Sequence, residues 1–473
     1  MCRLSRTNPL INLAVALLIS AALCPPLDAK SADQGRTQQE TRALQILDKA
    51  LLLVEVEHHS AIRAEMVSSL AVVYVRLGQK EKGEALLRRS KELIEEDDDL
   101  TKDCYECPSK EFFRIMVAID HSQAGHINQA LEMLEQLVHF DKERQTANRG
   151  ELLAGLASVF AGLGNPERAG QLLNDAFEAA KTTTDRIGRS ASLEDIAKRY
   201  ALLGQLELST RVVGAMDKGP FKDHALIAIA RKYAEAGQLD RALEINELVE
   251  TTNFKPDILV IVAQQYLNNG QKDKATELLY KARTASTNVH ASNLQEFARF
   301  DITLLLAEGG KFADALRILR ATKAQAAKLR LMTRLAVVFS RTGQRKTAEK
   351  LLANAYKLTS FSRGTYFQAR DVVEVANAYA GIGERERAET LLAEAVEVLD
   401  AVKEPTNKGL IFSEIAESYL VIGDDERAVN IAERVEQEGN GKFVALLWIA
   451  GKFAQAENLI RLKDKLSSEL MRP

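Results

Sequence analysis

One glycine, with the same neighbours each time, returns along almost the whole chain. It is Gly78, Gly125, Gly164, Gly204, Gly237, Gly270, Gly310, Gly343, Gly383 and Gly423, with a weaker copy at Gly451. Four residues earlier stands a bulky residue, most often tyrosine: Tyr74, Tyr200, Tyr233, Tyr266, Tyr379 and Tyr419. Five residues later comes a small one, alanine in every copy but those with Gly83 and Ser209, and three further on an aliphatic residue or Met133. Self-similarity at such a period means stacked supersecondary units, none of which can bury its apolar face alone. Glycine ends a helix because it enters the left-handed backbone region without steric cost. The small residue lets two helix backbones approach. Each unit is therefore read as a helical hairpin, its first helix running up to the glycine and its second following it.

The intervals between these glycines are 47, 39, 40, 33, 33, 40, 33, 40, 40 and 28 residues. The two common lengths differ by about seven residues, close to two helical turns, so a longer unit can extend a helix without rotating its buried face. The first interval requires an irregular insert, and the last marks a degenerate terminal unit. Ala43, Leu44 and Leu47 read as a second helix that lacks its first. Leu459, Leu462, Leu466 and Leu470 make one apolar face, with Arg461, Lys463, Asp464 and Lys465 left for water. Both ends are therefore expected to be caps.

The spacing resembles the tetratricopeptide repeat (TPR). From Leu226 to Ala242 the family pattern is met by Leu226, Ile229, Tyr233, Gly237 and Ala242; Ala230 departs from it, and the late proline is present at most once, as Pro256. The resemblance covers roughly Gln39 to the C-terminus. It implies an all-α, right-handed superhelical solenoid of about eleven TPR-like hairpins, with a concave groove that binds protein or peptide partners.

Residues 1–31 are a different material. Arg3 and Arg6 precede an apolar run from Leu10 to Leu23, then Pro25 and Pro26, and Ala29-Lys30-Ser31 supplies small residues for a cut before Ala32. That is the order of a secretory signal peptide, and the run is short for a membrane span. An uncleaved anchor is the alternative. The expected plan is a signal peptide over 1–31, a short linker over 32–39 and the array over 40–473. Location is expected to be exported, periplasmic or secreted, with no stable membrane span after cleavage.

Cys104 and Cys107 lie in an acidic loop of about residues 97–108, with His121 and His126 beyond. The spacing nominally fits a zinc finger. However, Phe112 to Ala124 reads as a first helix, and a helix from Ser109 to His121 advances about 18 Å, which separates the cysteines from His121. In an oxidising compartment a small disulfide between Cys104 and Cys107 is the expectation; thiol exchange and a metal half-site remain as alternatives. Asp97, Asp99, Thr101 and Asp103 alternate as in a calcium loop, but Lys102 and Pro108 stand where such a loop needs Gly and Glu. Gly439-Asn440-Gly441-Lys442 leads into Phe443, so it is not a phosphate loop. No catalytic residue, metal site or cofactor is expected. An enzyme with a dispersed site is the alternative from another class.

The formal charge of −3 makes no case for nucleic acid. Its distribution is more informative. Residues 311–350 hold eleven Lys and Arg against two acids, and residues 384–438 hold fifteen Asp and Glu against six bases. Arg330, Arg334 and Arg341 share one helical face. By the resemblance, Arg330 and Arg341 line the concave groove, Arg370 is the counterpart of Arg330 in the next unit, and Lys198, Arg231, Gln264 and Asn377 fall on the same surface. These residues are the candidate contacts for a partner carrying an acidic segment. A solvated stripe is the alternative.

Overall fold

The computed structural model describes residues 29–454 apart from 56, 58, 97–109, 145–148, 252–253, 287–291, 403–407 and 436–440. The signal-like segment up to residue 28, the loop with Cys104 and Cys107, and the helix expected around Leu459 lie outside the described residues. Among the described residues there are helices and no strand. In chain order they are α1 (Ala29–Glu55), α2 (Ser60–Arg76), α3 (Lys80–Glu96), α4 (Lys110–Gln123), α5 (Ile127–Arg144), α6 (Arg149–Gly162), α7 (Pro166–Thr182), α8 (Arg186–Leu202), α9 (Leu206–Gly214), α10 (Pro220–Glu235) and α11 (Leu239–Leu248). There follow α12 (Lys255–Asn268), α13 (Lys272–Ser286), α14 (Ser292–Glu308), α15 (Phe312–Ala321), α16 (Gln325–Arg341), α17 (Arg345–Leu358), α18 (Tyr366–Gly381), α19 (Arg385–Ala401), α20 (Lys408–Val421), α21 (Asp425–Glu433) and α22 (Gly441–Phe453).

The turn glycines explain this order. All ten from Gly78 to Gly423 have positive φ, between 72° and 96°. At each, the residue after the glycine donates its N–H to the carbonyl of the bulky residue five positions back: Gln79 to Tyr74 at 2.9 Å, Gln238 to Tyr233 at 2.8 Å, Gln344 to Phe339 at 2.7 Å and Asp424 to Tyr419 at 2.9 Å. The glycine N–H reaches three residues back. This is the Schellman closure of a helix end, which satisfies carbonyls that have no partner within the helix. The residues at the bulky position are fully buried at Tyr74, Phe160, Tyr200 and Phe339, and half-buried at Tyr233 and Tyr266. The extra residues of the longer intervals go into the second helix. It has 9 or 10 residues in α9, α11 and α15, but 17, 15 and 14 in α7, α13 and α17.

The helices form two compact units, 145–391 and a discontinuous one made of 1–144 and 392–473. In the unit 145–391, each first helix from α6 to α16 packs on its own second helix and on the first helix of the next hairpin, in the order α6, α8, α10, α12, α14, α16, α18. Consecutive second helices do not pack on one another in this way. A layer whose members touch lies on the inside of the curve, so the first helices form the concave layer here.

In the discontinuous unit α1 and α22 pack together. α1 packs on α22 as a second helix packs on its first, and on α2 as a second helix packs on the next hairpin. α22 in turn packs on α20 and α2, its first-helix neighbours on either side. Ala43, Ile46, Leu47, Ala50 and Val54 of α1 are buried, as are Phe443, Leu446, Leu447 and Ile449 of α22. Among the described residues, α1 and α22 therefore pair as the second and first halves of one hairpin. Lys49 of α1 pairs with Glu433 of α21. Asp48 accepts from Tyr74 Oη at 2.7 Å and Lys82 Nζ at 2.8 Å. Two expectations are corrected. Gly451 lies inside α22 and is not a turn, and α1 packs against α22 in the place a second helix takes. Residues 32–39 belong to α1 and are not a linker, because the helix starts at Ala29.

Two outcomes follow. At Gly237 an added Cβ would meet nothing within 4 Å, and φ is +75°, so Gly237→Ala should cost only backbone strain, about 1–2 kcal/mol in denaturant unfolding. Deleting residues 29–55 should expose α22 to proteolysis while leaving 145–391 resistant. A chain with independent ends would keep α22 protected.

Candidate binding face

The concave layer of the unit 145–391 carries charges of both signs. On α8, Glu194 is buried; it pairs with Lys198 one turn on and with His224 Nδ1 of α10 at 3.3 Å. His224 in turn lies edge-on to Phe254 at 4.6 Å. Burial pushes the Glu194 pKa up, but hydrogen bonds from His224 and Lys198 outweigh it and hold it below the usual carboxylate range.

Further along, Arg330 of α16 faces Glu374 of α18 at 3.9 Å, and Thr333 donates to Glu374 Oε1 at 3.0 Å. Burial dominates at Glu374 and pushes its pKa up despite Thr333, Arg330 and Arg334. Asp371 is likewise pushed up by burial, against the hydrogen bond from Ser362 at 2.9 Å and the charges of Arg330 and Arg370. Arg341 pairs with Glu308 of α14.

Between these pairs lie Arg231 on α10, Asp257 on α12, Asp301 on α14 and Arg334 on α16. Burial raises the pKa of Asp257 to about 6, with Asp301 adding repulsion and Arg231 and His224 opposing. Asp301 is open to solvent yet surrounded by protein across the concave layer; that surrounding pushes its pKa up, against Arg231 and Arg334.

The residues expected on this surface are all on first helices of this unit, and all are half-buried or exposed. Their environment differs from the expectation in one respect. Four arginines of the basic stretch are paired with carboxylates. Arg317 pairs with Asp314, Arg330 with Glu374, Arg341 with Glu308, and Arg345 with Glu349 and Glu384. The acidic stretch 384–438 falls almost wholly in the other unit. Gln264 donates to Asn268 on its own helix at 3.0 Å, and Asn377 is exposed. A charge count along the sequence does not show these carboxylates, because they lie on other helices than the arginines they face. Counted back from the turn glycines, Asp301, Arg334 and Glu374 share one offset, and His224, Asp257, Arg330 and Arg370 share another. That register would have placed acids and bases on one face.

The chain is thus a TPR-like array of helical hairpins. No protein-family model matches it, and no curated protein does. Among solved structures it is similar to yeast Tom70, at 14% identity over 93% of this chain and 100% of that one, with a TM-score of 0.31. It is also similar to PH0952 from Pyrococcus horikoshii, a signal-transduction ATPase with a tetratricopeptide repeat sensor, at 14% identity over 81% and 64% with a TM-score of 0.28. A third is the human IFIT1 dimer with PPP-AAAA, at 15% identity over 83% and 94% with a TM-score of 0.24. Nothing about partner or activity carries over at such values.

The raised pKa of Asp257 has a sign. Its folded value of about 6 lies above the unfolded one, so the folded state binds the extra proton between about pH 4 and 6 and loses stability as pH rises through that window. Asp257→Asn should therefore stabilise the protein by about 1 kcal/mol at pH 7.5 and change little at pH 4. Melting curves at the two pH values check this.

Proposed function

We propose that this protein is an exported, non-enzymatic scaffold that binds a protein or peptide segment on the concave face of the unit 145–391. The observation that carries the reading is the row of first helices. They pack side by side, and their solvent faces present arginines and carboxylates where an extended segment can touch several hairpins at once. Arginine grips carboxylates through two parallel hydrogen bonds, which suits it to such a surface. Export is supported by the signal-like order of residues 1–31. N-terminal sequencing of the mature protein should begin near Ala32, and an intact Met1 would count against export.

The binding reading is tested by site-specific photo-crosslinking. A crosslinker at Gln264 or Asn377 should capture a partner, and one at Arg88, an exposed site on α3, should not. Arg334→Glu should reduce the capture about tenfold or more and make it less sensitive to salt. Equal capture from all three positions would remove the reading.

A further inference from the structure

The connection between α17 and α18 lies at the edge of the unit 145–391 opposite the turn glycines. It runs through a short 3-10 turn, Thr359–Ser362, to Tyr366 at the start of α18. Two aromatic side chains stay largely exposed among the described residues, and both stand here: Phe361 is 69% exposed and Phe367 50%. Tyr366 stacks on Phe367 with the ring centroids 4.2 Å apart. Contiguous exposed apolar surface of this kind marks an interaction site.

The polar groups of the connection are already satisfied. Thr359 Oγ1 donates to the Tyr356 carbonyl at 2.8 Å, Ser360 Oγ to that of Lys357 at 2.9 Å, and Thr365 Oγ1 to that of Ser362 at 2.7 Å. Ser362 Oγ donates to Asp371 at 2.9 Å, and Gln368 Oε1 accepts from the Gly364 N–H at 2.9 Å. A segment whose hydroxyls are closed on itself loses little when water is withdrawn from it. The same bonds hold the rings in place before anything binds, which lowers the ordering cost of binding.

The charge around the rings has one sign. No acid stands in the sequence between Glu349 and Asp371, and Asp371 is half-buried under the Ser362 hydrogen bond. Lys357 and Arg363 are exposed and form no ion pair with a described residue. Because α16 packs beside α18, the connection leading into α16 is the neighbour, and its Lys323 is likewise exposed and unpaired among the described residues. Elsewhere in the unit, neighbouring connections close their charges on one another, Arg186 with Asp217 at 3.2 Å and Lys218 with Glu250 at 3.0 Å.

We propose that this edge docks on the surface of an anionic lipid bilayer, with Phe361, Tyr366 and Phe367 entering the headgroup region and Lys357, Arg363 and Lys323 resting on lipid phosphates. Aromatic rings favour the boundary between headgroups and acyl chains, and bases beside them are drawn to anionic lipid. Rings this exposed protrude and do not line a pocket, which fits entry into a fluid interface better than packing on a rigid protein. Three rings and three bases give reversible attachment, not a span.

The test uses the mature protein, so that the apolar run of residues 10–23 contributes nothing, and vesicles of phosphatidylglycerol mixed with phosphatidylcholine. The protein should sediment with these vesicles and about tenfold or more weakly with phosphatidylcholine alone. Lys357→Gln/Arg363→Gln and Phe361→Ser/Phe367→Ser should each weaken the binding about tenfold or more. Circular dichroism and melting curves establish that both variants are folded. In Phe361→Trp, fluorescence should shift to the blue on the anionic vesicles. In Leu202→Trp, an exposed position at the turn-glycine edge, it should not. Equal sedimentation with both kinds of vesicle, sedimentation with neither, or binding indifferent to the Phe substitutions would overturn the proposal. A dimer in analytical ultracentrifugation that Phe361→Ser/Phe367→Ser abolishes would assign the rings to a second copy and also overturn it. The scaffold reading stands on other residues and is untouched by each of these results.

Discussion

The structure depends on one small closure repeated ten times. The residue after each turn glycine donates its N–H to the carbonyl of a bulky residue five positions back, and the glycine accepts the positive φ that this bond requires. The bond does two things. It ends the first helix at a fixed residue, and it starts the second helix at a fixed rotation relative to the bulky side chain. Because that side chain packs between the helices, the turn and the core are set together. Each hairpin then presents the same face to its neighbour. The first helices of the unit 145–391 align for that reason, and residues at equal offsets from their glycines come to lie on one surface.

That alignment decides what the concave face can do. An isolated exposed ion pair contributes little, since water and salt screen it. A row of helices changes the situation by surrounding its polar groups with protein while leaving them accessible. Glu374 and Asp371 are pushed toward the neutral form by their surroundings, and Asp257 shares the pressure. Arginines on the neighbouring helices offset it in part. The face is therefore neither a positive groove nor a negative one. It carries both signs, with Asp257 on α12 and Asp301 on α14 between Arg231 on α10 and Arg334 on α16.

The fold was legible because glycine, a small residue and a bulky residue recur at fixed spacing. Even the seven-residue difference between units reads correctly, as a longer second helix in α7, α13 and α17 than in α9, α11 and α15. The site was half legible. Arg330, Arg334 and Arg231 stand on first helices, as their register implies. Glu374 and Glu308 could not be joined to Arg330 and Arg341 from a charge count, because each pair links different hairpins. The end of the array was misread for a related reason. Gly451 has the residue type of a turn, but whether it turns depends on which helix lies against α22, and that helix is more than 380 residues away in the chain. Local spacing carries no information about such a contact. The one available hint was that Ala43, Leu44 and Leu47 formed a second helix without a first.

The split hairpin of α1 and α22 is the furthest consequence of the register, since it requires two segments from opposite ends to obey the geometry of a hairpin with no turn between them. It removes two apolar faces that an open stack would have to cover in another way. It also places Lys49 against Glu433 in direct contact. A zero-length carbodiimide joins a lysine to a carboxylate only when the two touch. Treating the monomeric protein with it and mapping the products by mass spectrometry gives the most direct test. The account predicts a peptide linking Lys49 to Glu433, alongside the one linking Lys82 to Asp48. Recovery of the second without the first would contradict it.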